Sequence, residues 1–348
     1  MMTDVRTVTG TVRSDALGFV LPHEHLINSI GAGGLIPDPD FPELFDAPVT
    51  PELAWVLRDR PYASRDNCAL DRPEDAAEEL RHFASLGGST VIEVTSEGQG
   101  RDRHVLARLS EQTGVQIIAG GGWYLEPFHP DATRGDDVDA MAEMLLADYG
   151  RATHEEEPRS GVIGEIGVSP AFTAREEKSL RAACRLQREV GLPIWIHLPG
   201  FVRHGGRVLD VVLRAEGVDP AAVVLCHLDP SGGDRDYQRS LADRGVWLEF
   251  DMIGMPYRFT LPGEGPSPAP HETAVAIKGL CDAGFGSRLL MSHDLFLKGM
   301  LRRNGGNGLA YIPAVFLDRL IDLGVDETTV RSVNTTNVRR LFELAAHA

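Results

Sequence analysis

The chain has 348 residues, of which 43% are hydrophobic and 24% are charged, the proportions of an ordinary globular protein. Its formal net charge of −17 argues against nucleic acid or an anionic membrane as the main partner, because both would repel it. The four cysteines form no CxxC pair, and neither a signal peptide nor an apolar stretch of about 18 residues is found, so we expect a cytoplasmic protein.

Short apolar runs alternate with longer amphipathic segments along almost the whole chain. The predicted strands are GFVLPHEH (18–25), STVIEVT (89–95), VQIIAGGGWY (115–124), GVIGEIG (161–167), PIWIHL (193–198), VVLCHLD (223–229), VWLEFDMIG (246–254) and RLLMSHD (288–294). Strands this apolar indicate a parallel sheet covered by helices. Eight strand–helix repeats fit a closed barrel better than an open doubly wound sheet. The predicted fold is therefore α/β, a single (β/α)₈ TIM barrel that forms one domain over residues 1–348.

Three segments lie outside this repeat. The proline-rich segment 29–72 is predicted to be an insertion after the first strand, and 254–272 a long loop after the seventh. The insertion 29–72 is a candidate for part of a lid or an oligomer contact. The last residues, 330–348, predict a helix that closes the barrel.

Polar side chains follow the predicted strands at the ends where a barrel carries its active site. His23 and His25 share one face of the first strand, because residues i and i+2 of a strand point the same way. Four more strands end near such a residue: Glu165 on the fourth, His197 on the fifth, His227 on the sixth and Asp294 on the eighth. Each alone has an ordinary interpretation, such as a hydrogen-bonded histidine, a paired carboxylate or a helix N-cap. Together they are the imidazole and carboxylate ligands of a zinc-like site.

These residues sit in segments that resemble the phosphotriesterase family of the amidohydrolase superfamily. The similarity covers nearly the whole chain, and within the family it is strongest to the phosphotriesterase-related and resiniferatoxin-binding-protein branch. Further matching segments are EVTSEGQGRD (93–102), GGWYLEPFHP (121–130), GVIGEIGVS (161–169), CHLD (226–229), LEFDMIG (248–254), LLMSHD (289–294) and NTTNVRRLF (334–342).

One position departs from the family's phosphotriesterases and many of its lactonases, which bridge two metals through a carbamylated lysine on the fourth strand. This chain has Glu165 there, as the phosphotriesterase-related branch does. Its only lysines are Lys178, Lys278 and Lys298, so a lysine carbamate on this strand is excluded. A glutamate carries the same charge and also has two oxygens, so it can bridge two cations without CO₂.

The resemblance implies a centre with two divalent metal ions. The implied ligands are His23, His25 and Asp294 for the more buried ion, His197 and His227 for the more exposed ion, and Glu165 with a hydroxide as bridges. Zn²⁺ is the expected metal, and Mn²⁺, Co²⁺ and Fe²⁺ are alternatives. Asp294 is the predicted proton acceptor and donor, because it would contact the hydroxide. Glu165 is the second predicted catalytic residue.

Further residues near the same rim are candidate substrate contacts. They are Tyr124, His129, Asp251, Tyr257, Arg258 and Lys298. A cation among them would hold a carboxylate, sulfonate or phosphate of the substrate, and the competing interpretation is ordinary solvent-exposed surface. By strand alternation, His293 and Cys226 are expected to point away from the centre, toward the helices.

Three functions are candidates for a chain with these residues. The favoured one is a binuclear metal-dependent hydrolase that uses a metal-bridging hydroxide to cleave a carboxylic ester, lactone or amide. The second is an aryldialkylphosphatase-like phosphotriester hydrolase, and the third is a small-molecule-binding protein without catalysis. The glutamate bridge of the nearest branch favours a carbonyl substrate, and the complete ligand set argues against the third function. The expected partner is a small-molecule substrate, and a homodimer is expected by analogy.

Overall fold

The computed structural model describes residues 2–133, 135, 137–150 and 158–347. Its strands are β1 (Asp4–Thr7), β2 (Gly10–Arg13), β3 (Phe19–Glu24), β4 (Asn28–Ser29), β5 (Ala69–Leu70), β6 (Gly88–Glu93), β7 (Gln116–Ala119), β8 (Ile163–Gly167), β9 (Ile194–His197), β10 (Val223–Leu225), β11 (Trp247–Phe250) and β12 (Leu289–Met291). Its α-helices are α1 (Ala54–Leu57), α2 (Pro73–Ser85), α3 (Arg103–Thr113), α4 (Val138–Gly150), α5 (Ala174–Val190), α6 (Gly205–Leu209), α7 (Arg235–Ala242), α8 (Pro270–Asp282), α9 (Leu317–Asp322), α10 (Glu327–Val333) and α11 (Thr336–Ala345). None of the described helices is both long and apolar enough to cross a membrane.

The eight strands predicted from the sequence all form, and they lie in two parallel sheets. The sheet orders are β3-β6-β7 and β12-β11-β10-β9-β8. At one seam the end of β7 meets the segment that leads into β8, through an isolated bridge between Ala119 and Ser160. At the other, Asn334 donates from its side chain to the carbonyl oxygens of Val20 in β3 and Met291 in β12, at 2.8 and 2.7 Å. The strand order is that of a TIM-barrel-like α/β fold.

Alternate strand residues point into the space between the sheets and form a purely apolar layer. We call this layer the apolar floor, and its members include Val20, Ile92, Ile118, Val162, Trp195, Val224, Trp247, Leu290, Val338, Leu341 and Phe342. The last three belong to α11, so this helix closes the amino-terminal end of the strands. The prediction of one closing helix over 330–348 was inexact, because Asn334 interrupts the segment and divides it into α10 and α11.

Helix α5 shows how a local sequence signal positions the loops around the site. Thr173 and Glu176 form a reciprocal capping box at its start. The Glu176 carboxylate also accepts hydrogen bonds from the backbone N–H of Ser169, at 3.1 Å, and of Glu126, at 3.3 Å. One cap therefore ties together the connections that follow β7 and β8.

The insertion 29–72 is anchored at both of its ends. Its flanks pair as strands β4 and β5. Near its end, Asp66 and Asp71 accept hydrogen bonds from the Lys298 ammonium at 2.5 and 3.0 Å. Because Lys298 follows β12, these bonds hold the insertion beside the carboxyl end of the parallel strands.

Candidate metal centre

The six predicted metal ligands converge at the carboxyl ends of the parallel strands, in two groups. The first group is His23, His25 and Asp294, whose ligand atoms all lie within 4.8 Å of one another. Asp294 Oδ1 is 3.2 Å from His25 Nε2 and 3.7 Å from His23 Nε2. Two imidazole nitrogens and a carboxylate oxygen thus face a common point.

The second group is built around Glu165. Its Oε1 atom lies 2.8 Å from both His197 Nδ1 and His227 Nε2. The same oxygen is 3.6 Å from His23 Nε2, so it reaches the first group as well. The His197 side chain is 16% exposed and that of His23 is 0% exposed, which makes the second group the more accessible of the two.

Local departures from regular strand geometry aim several of these side chains. The pairing of β3 with β6 shifts register between Leu21 and Glu24, and that of β8 with β9 shifts between Ile163 and Ile166. Each shift changes the face of the strand to which the side chains point, and it does so close to a predicted metal ligand. Beyond the strands, His227 and Asp294 adopt positive φ angles of 59° and 49°, a conformation that non-glycine residues rarely adopt outside functional sites.

The prediction that Cys226 faces the helices was wrong. Cys226 lies in the interior with Val224, and its sulfur belongs to a buried group with His23, Glu249 and Asp251. Strand alternation does not hold between Cys226 and His227, because His227 has a left-handed backbone conformation. His293 does point away from the centre as predicted, since its ring contacts Glu24 and the backbone N–H of Ile312.

Three of the imidazoles are oriented by acceptors behind them. His23 Nδ1–H donates to Glu249 at 2.9 Å, and His227 Nδ1–H donates to Asp251 at 2.9 Å. These bonds leave the Nε2 atoms of both rings free to face the centre. This arrangement of carboxylate, imidazole and ligand nitrogen is typical of metal sites.

The third imidazole is oriented through a hydroxyl group. The Thr95 hydroxyl donates its single proton to Glu93 Oε1 at 2.6 Å, so it accepts a hydrogen bond from His25 Nδ1–H at 2.8 Å. His25 therefore also presents Nε2 to the centre. Glu93 is fully buried and receives the backbone N–H of Leu26 at 3.1 Å, which fixes the relay to the end of β3.

The buried carboxylates of the site stabilise positive charge next to them. Burial opposes protonation of His23, but Asp251, Glu165 and Glu249 outweigh it and raise the pKa of His23 to about 10. Burial also acts to raise the pKa of Glu165, yet the imidazoles of His197 and His23 hold it well below its usual range. A divalent cation satisfies such a set of ionised carboxylates better than protons can.

The donor set passes a direct test of fit to metal ions. His23 Nε2 is fully buried and has no hydrogen-bond partner among the described residues, although it faces two carboxylates at 3.6 and 3.7 Å. A buried polar atom normally has a partner, and a cation would supply one. Imidazole nitrogens with carboxylate oxygens are the donors that Zn²⁺ and neighbouring transition metals prefer.

Of the predicted substrate contacts, Tyr124 lies at the mouth and His129 supports it. The Tyr124 ring packs edge-on against His197 with centroids 4.8 Å apart. His129 Nε2 lies 2.7 Å from the Tyr124 carbonyl oxygen, and the residue is buried. His129 therefore holds the backbone of the Tyr124 loop instead of facing the mouth.

Asp251 and Lys298 were predicted on the open rim, but the structure buries both residues. Asp251 is 0% exposed and sits behind His227, where it accepts from both the ring and the backbone N–H. Asp251 continues the two-residue spacing of Trp247 and Glu249 just beyond the end of β11, so it points inward with them. Lys298 is buried and paired with Asp66 and Asp71, so its charge is already neutralised by the insertion.

Tyr257 and Arg258 alternate on the loop after β11. Tyr257 is buried and Arg258 is exposed. Arg258 forms an isolated bridge with Pro266, and its backbone N–H donates to the Arg58 carbonyl at 2.7 Å. The extended backbone at this bridge turns the Arg258 side chain away from the face that carries Tyr257.

Sequence reasoning missed several residues at the site, namely Glu249, Glu93, Thr95, Tyr62 and Glu264. Glu249 was detectable, because it lies two residues before Asp251 on an apolar strand and such residues share a face. Glu93 and Thr95 follow the same rule on β6. Tyr62 and Glu264 belong to the irregular segments 29–72 and 254–272, where periodicity gives no signal.

Comparisons with known proteins agree with this geometry. The family model of the phosphotriesterase family matches residues 3–342. The N-acetyltaurine hydrolases of Salmo salar and Mus musculus are each 32% identical to the chain, with 97% of both chains covered. The crystal structure of a resiniferatoxin-binding protein from Rhodobacter sphaeroides is 43% identical with a TM-score of 0.93, over 97% of this chain and 94% of that chain. A mutant organophosphorus hydrolase from Deinococcus radiodurans is 27% identical with a TM-score of 0.75, over 98% and 97%.

The family match extends over almost the whole chain, and the structure brings imidazole and carboxylate groups together where this family implies metal ions. Relatives that align along their full length are hydrolases by name. The chain belongs to the phosphotriesterase family and is a metal-dependent hydrolase.

Proposed function

We propose that the chain uses two divalent cations to hydrolyse a carboxylic ester, a lactone or an amide. The proposed ligands are His23, His25 and Asp294 for one cation, His197 and His227 for the other, and Glu165 between them. One observation carries the proposal: Glu165 Oε1 lies 2.8 Å from a nitrogen of each imidazole in one group and 3.6 Å from His23 Nε2 in the other. The proposal includes a closed (β/α)₈ barrel that forms a single domain, which the hydrogen bonds across both seams support.

Two cations bound there would lower the pKa of water toward neutrality and polarise the substrate carbonyl. Asp294 is the residue that takes and returns the proton, because its carboxylate borders the centre and remains 8% exposed toward the mouth. Glu165 would supply negative charge as the ligand shared by both cations, because its Oε1 reaches the imidazoles of both groups. Glu249 and Asp251 keep His23 and His227 in the orientation that presents Nε2.

An amide is the favoured bond type. The relatives that align over 97% of their length are named N-acetyltaurine hydrolases, which denotes cleavage of an N-acyl bond. Phosphotriester hydrolysis is the second candidate, because an organophosphorus hydrolase shares the fold at 27% identity. A purely binding role, which the name of the Rhodobacter sphaeroides protein raises, is disfavoured by the convergence of all six ligand side chains.

The test combines metal counting with turnover in the variant Glu165→Ala. Wild-type protein loaded with Zn²⁺ is expected to hold about two ions per chain and to hydrolyse N-acetyl amides faster than paraoxon. Glu165→Ala is expected to hold at most about one ion and to lose turnover, because the groups lose their common ligand. The variant Glu189→Gln, on the exposed surface of α5, is the control and should match wild type. Two ions and full activity in Glu165→Ala would refute the proposal, and faster turnover of paraoxon would favour the second candidate.

A further inference from the structure

The insertion 29–72 and the loop 254–272 meet beside the mouth of the metal centre. The Tyr62 hydroxyl donates to Glu264 Oε1 at 3.2 Å, which joins the two segments. Within the loop, the backbone N–H of Phe259 donates to the Gly265 carbonyl at 3.0 Å, so Phe259 and Glu264 lie on one turn. Tyr62 also packs on Phe259, with ring centroids 6.1 Å apart. One carboxylate and two aromatic rings are thus assembled from separate parts of the chain.

A row of aromatic rings connects this assembly with the metal centre. Phe259 stacks on Phe296 with ring centroids 6.0 Å apart and an interplanar angle of 23°. Phe296 in turn packs edge-on against His25, at 6.5 Å. We call Tyr62, Phe259 and Phe296 the aromatic wall. Glu264 lies at the end of this wall that is farther from His25, where the distal part of a substrate held at the centre would lie.

The Glu264 carboxylate is half-buried, and among the described residues no ion pair joins it to a cation. Burial raises its pKa, while its hydrogen bonds from the Leu261 N–H and the Tyr62 hydroxyl act to lower it. Its Oε1 accepts from Tyr62 and its Oε2 from the backbone N–H of Leu261 at 2.9 Å, so each oxygen keeps further capacity to accept. Burial first, and then the charge of Glu264, raise the pKa of Tyr62 well above its usual value, so the phenol stays protonated and donates. A carboxylate that is partly withdrawn from water attracts a cation more strongly than an exposed one does, because the local dielectric constant is lower.

The nearby basic residues do not neutralise this carboxylate. Lys298 is paired with Asp66 and Asp71. Arg258 occupies the same loop as Phe259, but the extended backbone at position 258 turns its exposed side chain to the opposite face. The described mouth therefore presents negative charge and aromatic rings to a substrate.

We propose that Glu264 and the aromatic wall bind a positively charged ammonium group at the distal end of the substrate. This inference rests on the proposed amide hydrolysis and names its substrate class, N-acyl amines that carry a second, cationic amino group. A carboxylate gives the ammonium a charge-assisted hydrogen bond, and aromatic faces attract it through their quadrupoles. A sulfonate such as that of N-acetyltaurine would instead meet repulsion from Glu264.

The experiment compares matched probes by calorimetric binding and by hydrolysis. The cationic probes are N-acetylputrescine and N-acetylcadaverine, the neutral match is N-pentylacetamide, and the anionic probe is N-acetyltaurine. The proteins are the Zn²⁺-loaded wild type, Glu264→Gln, Tyr62→Phe and the control Glu189→Gln. We expect at least one cationic probe to bind wild type about tenfold more tightly than the neutral match, the worth of one charge-assisted hydrogen bond at a partly exposed site. Glu264→Gln should abolish this ratio, and the control Glu189→Gln should keep it. Tyr62→Phe retains the aromatic ring and the Glu264 carboxylate, so it should change the ratio less than Glu264→Gln does.

The outcomes separate this inference from the proposed function. Equal or weaker binding of the cationic probes, or a preference that Glu264→Gln leaves intact, overturns the inference even if amides are hydrolysed. Preferred binding of a cationic probe that depends on Glu264, without hydrolysis of any amide, supports the inference and counts against the proposed function. Efficient hydrolysis of N-acetyltaurine alone supports the function and overturns the inference. Thermal melting of each variant shows whether it is folded.

Discussion

The two ends of the same strands differ in both composition and geometry. At the amino-terminal end, the apolar floor contains aliphatic and aromatic side chains on regular alternation, among them Leu290 and Trp247, both 0% exposed. At the carboxyl end, only a few residues farther along, the interior holds buried carboxylates and imidazoles on shifted registers and positive φ angles. The first end buries apolar surface, and the second buries charge, which costs stability unless it is compensated.

Along each strand, residues at the amino-terminal end stabilise the fold, and residues at the carboxyl end form the candidate site. Strand β12 contributes Leu290 to the floor, and the chain reaches Asp294 four residues later. Strand β9 likewise contributes Trp195 and then His197. A TIM-barrel-like fold allows this division because the amino-terminal ends of its strands remain packed while the carboxyl ends vary. A substitution at the carboxyl end of a strand should therefore lower activity more than stability, and one at the amino-terminal end should lower stability more than activity.

The largest effect is expected from Asp294→Asn. Asparagine keeps the shape of the side chain but cannot accept a proton, so kcat should fall by about 10³-fold, within the range for loss of a general acid–base group. KM should change far less, because the substrate-binding surfaces are untouched. Steady-state kinetics with an N-acetyl amide, together with a metal count, provide the measurement. A kcat close to that of wild type would remove Asp294 from the mechanism.

Leu290→Ala is expected to lower stability while leaving activity unchanged. The side chain is fully buried in the floor, so its truncation should lower the free energy of unfolding by about 3 kcal/mol. Activity below the unfolding transition and metal content should stay near wild type, because no ligand of the centre is moved. Denaturant titration measures the loss, and Leu86→Ala, at a 41% exposed position, is the control with an expected change under about 0.5 kcal/mol. Loss of metal from folded Leu290→Ala would contradict the separation.

The regular parts of the molecule were predictable from sequence. All eight parallel strands were predicted, because each is an apolar run between amphipathic helices, and that pattern reports burial on both faces. The candidate ligands were predicted because several strands end in the same residue types, and the structure brings their side chains together. Their joint occurrence carried information that no single histidine had.

The irregular parts were not predictable, for identifiable physical reasons. Strand alternation failed at Cys226, since a left-handed residue at His227 resets which face is inward. Lys298 was predicted to bind substrate, but its partners Asp66 and Asp71 lie more than 200 positions earlier in the chain. The pairing of Tyr62 with Glu264 likewise depends on how two aperiodic segments fold over the mouth. Long-range pairing of polar residues leaves no periodic trace in a sequence.

The smallest of these effects is expected from Glu249→Gln, which tests the border between floor and centre. Glu249 accepts hydrogen bonds from His23 Nδ1 at 2.9 Å and from the Trp195 indole N–H at 3.2 Å. Glutamine keeps the volume but loses the charge, and its amide group would set an N–H against one of these donors. Because acceptors behind a ligating imidazole sharpen its orientation and raise its basicity, metal affinity should fall about 10- to 100-fold. Competition with a chelator measures the affinity. Trp195→Phe, which removes the indole donor and part of the buried ring but leaves the Glu249 carboxylate on His23, should retain most of the affinity even if the protein is less stable. If Glu249→Gln lowers the melting temperature but leaves the metal affinity unchanged, Glu249 supports the fold as the floor residues do. If the metal affinity falls while Trp195→Phe keeps it, the candidate site extends one layer deeper than the six proposed ligands.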